Sequence, residues 1–416
     1  MVIGGIILKQ QKNIHTTKKL DFSRNSWLLI IGIVFIAFTL RSPLTSVGPI
    51  IAWIRDDLGI SNVLGGFLTT IPLLAFALIS PFAPRLSRRF GLEFTLFASL
   101  LLLIVGIVIR STGTISLLLA GTFLIGVAIA FGNVLLPSLM KTSFPLQIGL
   151  MTGIYTMAMN LSATIASGVA VPIANGTQFG WQGAIGVWGA LAFIALVVWL
   201  PQLKNKRLTN TPPPLSHAEK PASLLRSPIA WSVTFFMGLQ SFIFYSTSAW
   251  MPEILKAEGL SASNAGWMLS LVQFSQLPMT FITPIIADKI NDQRKIVVGI
   301  VILYLIGYIG ILSGATSLTP LWMIVLGIAG GASFGLAMMF FTLRTRTPYE
   351  AAGLSGMAQS LGYLFAAIGP VLFGSLHDLT AGWTVPLLIF VLITVLLFIS
   401  GMKAGKNVYA LPPSNQ

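Results

Sequence analysis

Twelve apolar runs, each about as long as the hydrocarbon core of a bilayer is thick, divide this chain of 416 residues. They fall at 27–52, 63–84, 92–109, 114–140, 149–174, 181–200, 228–252, 264–287, 296–313, 319–343, 352–376 and 384–402. An α-helix rises about 1.5 Å per residue, so each run can cross roughly 30 Å of hydrocarbon. In that medium an open strand or loop would leave its amides unbonded, whereas a helix satisfies its own. The pattern therefore predicts an all-α polytopic membrane protein of twelve transmembrane helices. Only 9% of the residues are charged, where a soluble domain carries about 25%.

The net charge of +14 does not indicate a nucleic-acid surface, because the basic residues lie in short clusters between apolar runs and not along one polar face. They report topology instead. With the amino terminus inside, all of the 25 Lys and Arg except Arg41, Arg55, Arg110 and Lys256 fall in the tails or in loops on the cytoplasmic side. Both termini are then cytoplasmic, in the inner membrane of the cell. Residues 1–25 precede a first run too long for a signal-peptide core, which reads as a tail followed by an uncleaved span. There is no cysteine, so disulfides, thiolate catalysis and thiolate metal sites are excluded.

The longest polar stretch, around Thr211-Pro212-Pro213-Pro214, sits at mid-chain and reads as a flexible linker. This gives an amino-terminal tail at 1–26, a six-helix bundle at 27–201, a cytoplasmic linker at 202–227, a second bundle at 228–402 and a carboxy-terminal tail at 403–416. An internal repeat supports the division. Leu58-Gly59-Ile60-Ser61 recurs as Glu258-Gly259-Leu260-Ser261, and Phe144-Pro145 through Gly149 to Gly153 recurs as Thr347-Pro348 through Ala352 to Gly356. Both halves start on the same side, as parallel repeats do. Small residues four apart (Gly149 and Gly153, Gly327, Gly331 and Gly335) mark places where helices are expected to approach closely.

Arg41 is the one charge at the middle of an apolar run, and a guanidinium at that depth costs several kcal/mol unless it is paired or lines a wet cavity. All eleven acidic residues fall in loops or at span ends. An anionic or electron-rich substrate is therefore the expected partner, since a planar fork of donors suits it. The alternative is that Arg41 satisfies backbone carbonyls freed at Pro43 and Pro49. The corresponding span of the second half offers Gln240 and Ser241, then Tyr245 and, near its outer end, Trp250 as an interfacial anchor. Asn160, Gln273, Gln276, Gln359 and Tyr363 lie at mid-depth and together outline a polar cavity, while Asn133 and Tyr155 are placed to line its entrance. Each amide also suits interhelical bonding. No Asp, Glu or His lies inside a span to carry a proton, and His377-Asp378 is read either as a pH-sensing pair or as a solvated turn. No cluster suits a metal, a cofactor or hydrolytic catalysis.

Twelve spans in parallel halves resemble the major facilitator superfamily. Leu40-Arg41-Ser42-Pro43-Leu44-Thr45-Ser46-Val47-Gly48-Pro49, Gly132-Asn133-Val134-Leu135-Leu136-Pro137, Gln240-Ser241 with Tyr245 and Trp250, and Gly356-Met357-Ala358-Gln359-Ser360-Leu361-Gly362-Tyr363 resemble its cyanate permease and nitroimidazole transporter branch. The resemblance implies a monomer that moves a small planar or anionic solute. It also implies a gating loop after the second span, here Arg85, Arg88 and Arg89, with Arg85 where the superfamily has an acid. The second-half equivalent keeps Asp288, so the inner gate is expected to be latched mainly from that half. The expected function is secondary transport by alternating access about a site with Arg41 and Gln240. A multidrug or nitroimidazole-type exporter of neutral aromatics is the alternative, and a membrane sensor, which would need a signalling domain, the reading from another class.

Overall fold

The computed structural model describes residues 24–60, 62–204 and 224–412. Most of the expected tail at 1–26, most of the expected linker at 202–227, Ser61 of the repeat and the last four residues lie outside them. The chain is helical nearly throughout. The first span is broken into α1 (Arg24–Thr39), α2 (Ser42–Thr45), a 3-10 turn at Gly48–Ile50 and α3 (Ile51–Leu58). Then come α4 (Asn62–Ile79), α5 (Ala83–Phe90), α6 (Leu92–Arg110), α7 (Ile115–Ser143), α8 (Ile148–Gly176), α9 (Gly180–Gly186) and α10 (Trp188–Trp199). The second half holds α11 (Pro228–Ala257), α12 (Ala262–Lys289), α13 (Arg294–Leu312), α14 (Thr319–Leu343), α15 (Pro348–Thr380) and α16 (Thr384–Ala404).

Among the described residues 11 spans are long and apolar enough to cross a membrane, and α4 with α5, bent by 59°, supplies a twelfth. The stretch expected as a loop after the second span is thus a helix, α5. Arg85, Arg88 and Arg89 are all exposed on it.

Sequence chemistry sets the helix ends. Thr347 accepts the amide of Glu350 at 3.1 Å, which satisfies one of the amides that a helix start leaves open, and Glu350 in turn accepts the amide of Arg346, just ahead of the cap, at 2.8 Å. Gly59 and Gly259 stand at φ 62° and 97°. At both, the following amide reaches back to Arg55 or Leu255, so the two span ends of the sequence repeat close in the same way. In the first span Pro43 supplies no amide, and hydroxyls take up part of the loss: Ser42 donates to the Phe38 carbonyl at 2.8 Å and Thr39 to the Ile36 carbonyl at 2.7 Å.

The two halves meet through a pair of related crossings, α8 on α12 and α4 on α15. Thr156 donates to the Thr280 carbonyl at 2.8 Å, and Ser360 donates to the Ala77 carbonyl at 2.5 Å. A methyl group added at Gly153 would lie 2.6 Å from the Phe281 carbonyl oxygen, and one at Gly356 would lie 2.8 Å from that of Ser80. Glycine is needed at both because backbone meets backbone there. Gly331, the middle of the expected small-residue row on α14, faces α12 of its own half, where an added methyl would lie 2.9 Å from the Gln276 Cα.

All of these crossings lie toward the end of the bundle that carries α5. There one apolar core runs through both halves, joining residues such as Leu139 and Met151 to Phe340 and Ala352. At the opposite end the first half keeps a cluster of its own, Val47, Ile54, Leu118, Ala174 and Trp181 among its members, with no residue from the second half. The halves are joined at the basic end and part toward the other.

Candidate functional site

Between the joined ends and the parted ends lies a cavity. From the first half it is lined by Arg41 and Asn160. The second half contributes Gln240, Tyr245, Gln273, Gln276 and Tyr363, with Phe244, Phe334, Tyr304 and Tyr308 as further aromatic wall. Of the residues singled out in the sequence, these seven polar ones and Ser241 come together.

The break of the first span positions Arg41. It stands at the amino-terminal end of α2, and its carbonyl accepts the amides of Leu44 and Thr45. Its guanidinium lies 5.6 Å from the ring centroid of Phe244 and 5.4 Å from that of Phe334, and the phenols of Tyr245 and Tyr363 are close enough to feel its charge. The ion pairs among the described residues are Arg55–Asp56, Lys256–Glu253, Arg294–Asp292 and His377–Asp378, so no carboxylate is paired with Arg41. A ring under a cation contributes about 0.5–2 kcal/mol. That offsets only part of the several kcal/mol by which an unpaired charge is disfavoured at such depth.

The amides are unequally free. Gln240 Nε2 is held by Ser241 Oγ at 2.7 Å and the Met237 carbonyl at 3.1 Å, and Gln276 Nε2 donates to Gln273 Oε1 at 2.9 Å. Asn160 Nδ2 is shielded from solvent and has no partner. Tyr363 stacks at a tilt on Phe76 of the first half, 5.0 Å between centroids, and faces Tyr245 at 6.5 Å.

Three of the sequence candidates stand away from the cavity wall. Gln359 is buried in the seam, donating to the Asn133 carbonyl at 2.9 Å and to Ser355 Oγ at 2.8 Å. Asn133 is its acceptor across the halves. Tyr155 is buried with its hydroxyl unpartnered. All three lie about one turn or more nearer the joined end, where the helices touch. The indole of Trp250 donates to the Pro370 carbonyl at 2.7 Å and ties α11 to α15.

At the joined end Asp288 accepts the amide of Gly149 at 3.0 Å, a carboxylate at the start of α8. Arg88 donates to the Tyr349 hydroxyl at 3.0 Å and lies 4.4 Å from that ring's centroid. Arg85 is exposed, and Arg89 rests on Phe90 of its own helix. Lys141, which the sequence shows only as one more charge on the basic side, donates to the carbonyls of Thr342 and Thr345. It thereby caps the end of α14 from the opposite half. Contacts across the seam thus come from both halves, Lys141 and Arg88 from the first and Asp288 from the second.

A second missed residue is Arg110. It reads as an outer-loop charge at the end of an apolar run, but it is buried, and its Nη1 donates to the Pro43 carbonyl at 2.7 Å. The carbonyl of Pro43 itself is thus held by Arg110.

The model of the Major Facilitator Superfamily matches residues 28–370. The chain belongs to that superfamily. Within it, the chain is 40% identical to the 2-nitroimidazole transporter of Escherichia coli (strain K12), over 92% of this chain and 97% of that protein. It is 25% identical to the cyanate transport protein CynX of the same organism, over 85% of this chain and 91% of that one. Among solved structures, the proton:xylose symporter XylE matches with a TM-score of 0.73 at 13% identity, covering 93% of this chain and 98% of that chain. The likeness to XylE speaks for the fold alone. The superfamily and the relatives make this protein a multi-pass membrane transporter and not an enzyme, of the branch that its Arg41 motif resembles.

Proposed function

We propose that this transporter moves a small, planar solute that is anionic or presents coplanar electron-rich oxygens, by alternating access about Arg41. The observation that carries the reading is the Arg41 guanidinium, paired with no carboxylate among the described residues, in the wall of the cavity and framed by the rings of Phe244 and Phe334. The unpartnered Asn160 Nδ2 adds a second donor. A carboxylate or a nitro group offers two oxygens in one plane to such a fork, and a flat ring attached to it fits between aromatic walls. The relatives named for 2-nitroimidazole and cyanate fit this chemistry. With the basic end in the cytoplasm, the seam of Asp288, Arg88 and Lys141 is the closed inner gate and the cavity opens outward. Gln240, Gln273, Gln276, Tyr245 and Tyr363 then orient the solute, while Gln359 and Asn133 belong to the seam that must open.

The test is uptake into liposomes reconstituted with the purified protein, using cyanate, 2-nitroimidazole and apolar neutral aromatics, with and without a pH gradient. Saturable uptake of the first two is expected. Saturable uptake of the apolar neutral compounds alone would contradict the reading and favour an exporter of neutral aromatics, which the walls alone would suit.

A further inference from the structure

Arg110 closes α6 and is 1% exposed. Its Nε and Nη2 are shielded from solvent and without a partner, and no carboxylate among the described residues is ion-paired with it. A buried guanidinium with one hydrogen bond is a costly thing to keep where an apolar side chain would pack. Its location is fixed by close packing behind it: an added methyl at Gly121 of α7 would lie 2.6 Å from the Gly106 carbonyl oxygen of α6. The α6 end is thus held against α7, and the side chain reaches Pro43, two residues past Arg41. α2 ends at Thr45, before a regular helix would bring an amide back to the Pro43 carbonyl.

We propose that Arg110 is a positioning residue of the transport site: by holding the Pro43 carbonyl it fixes the break in the first span, and so the pose in which Arg41 meets the solute. The inference rests on the reading of Arg41 as the solute's partner. The two unused N–H groups give Arg110 spare donors for other carbonyls as the break shifts during the transport cycle.

The experiment compares Arg110→Met, Arg110→Lys and Arg41→Gln in liposomes, reading KM and maximal rate for 2-nitroimidazole and cyanate together with the thermal unfolding temperature. Arg110→Met removes a poorly paired buried charge, so its unfolding temperature is expected to hold or rise while KM rises tenfold or more. Arg110→Lys, which can still donate to Pro43, is expected within threefold of the unaltered KM. A purely structural residue would move stability and leave KM alone. If Arg110→Met keeps its KM while Arg41→Gln loses affinity, the proposal for Arg110 is overturned and the reading of Arg41 stands. If Arg41→Gln also keeps its KM, both fall. Should Arg110→Met not fold, Arg110→Gln, whose shorter amide stops short of Pro43, replaces it with the same expected and contrary results.

Discussion

The Arg41 guanidinium faces the Phe244 ring at 5.6 Å, a cation in the first half against an aromatic face in the second. The same 203-residue spacing separates Ala77 from Thr280, the carbonyl acceptors of the two crossings, and Gly153 from Gly356 at their closest approach. Where the halves only need to bear on each other, equivalent positions do equivalent jobs. At the cavity unlike side chains come together instead, and that unlikeness gives the site a single charge.

A carboxylate placed in the cavity should compete with the solute. Asn160 shares the cavity wall with Arg41 and has an unpartnered Nδ2. Asn160→Asp is expected to raise the thermal unfolding temperature by partnering the cation while weakening anion affinity at least tenfold, about 1.4 kcal/mol or more. Equilibrium binding of cyanate and differential scanning fluorimetry check both halves of this.

Lys141 sets an ammonium group on the end of α14 from across the seam. A cation at a helix carboxy terminus contributes about 0.3–2 kcal/mol, so Lys141→Met should shift the balance of states toward an open basic end by about two- to thirtyfold. The chain has 0 cysteines, so spin labels can go on Leu146→Cys and Leu225→Cys, both exposed beside the seam. Pulsed dipolar distances between them should gain a longer population in the variant.

The two crossings should rock as one. Gly356→Ala puts a methyl group 2.8 Å from the Ser80 carbonyl oxygen and must wedge α15 from α4. Its effect is expected at the other crossing as well. A reporter Thr156→Cys, fully buried against Thr280, should react with a water-soluble maleimide several times faster in the Gly356→Ala background.

The fold was legible because hydrocarbon imposes one period and one length on every span, and the repeat at Gly59 and Gly259 survives as two helix ends at which the amide after the glycine reaches back five residues. Arg41 was legible for a related reason: a charge inside an apolar run is conspicuous. Gln359 and Tyr363 sit four residues apart on one helix face, yet only Tyr363 lines the cavity, because the halves touch one turn below it. Arg110 and Lys141 were not legible as more than loop charges. What brings Arg110 inside is the Gly106–Gly121 contact between α6 and α7 together with the break in a third helix, and the span ends carry no trace of that geometry.

The central claim is that Arg41 is the charge partner of the solute. The most direct test is the dissociation constant of 2-nitroimidazole and of cyanate for purified Arg41→Gln and Arg41→Lys, measured in detergent where no transport step enters. A loss of about 1.5–3 kcal/mol, the range for a hydrogen bond to a charged group, predicts binding roughly 10- to 150-fold weaker for Arg41→Gln. Arg41→Lys should fall between it and the unaltered protein. Unchanged binding of both ligands to a well-folded Arg41→Gln would contradict the account.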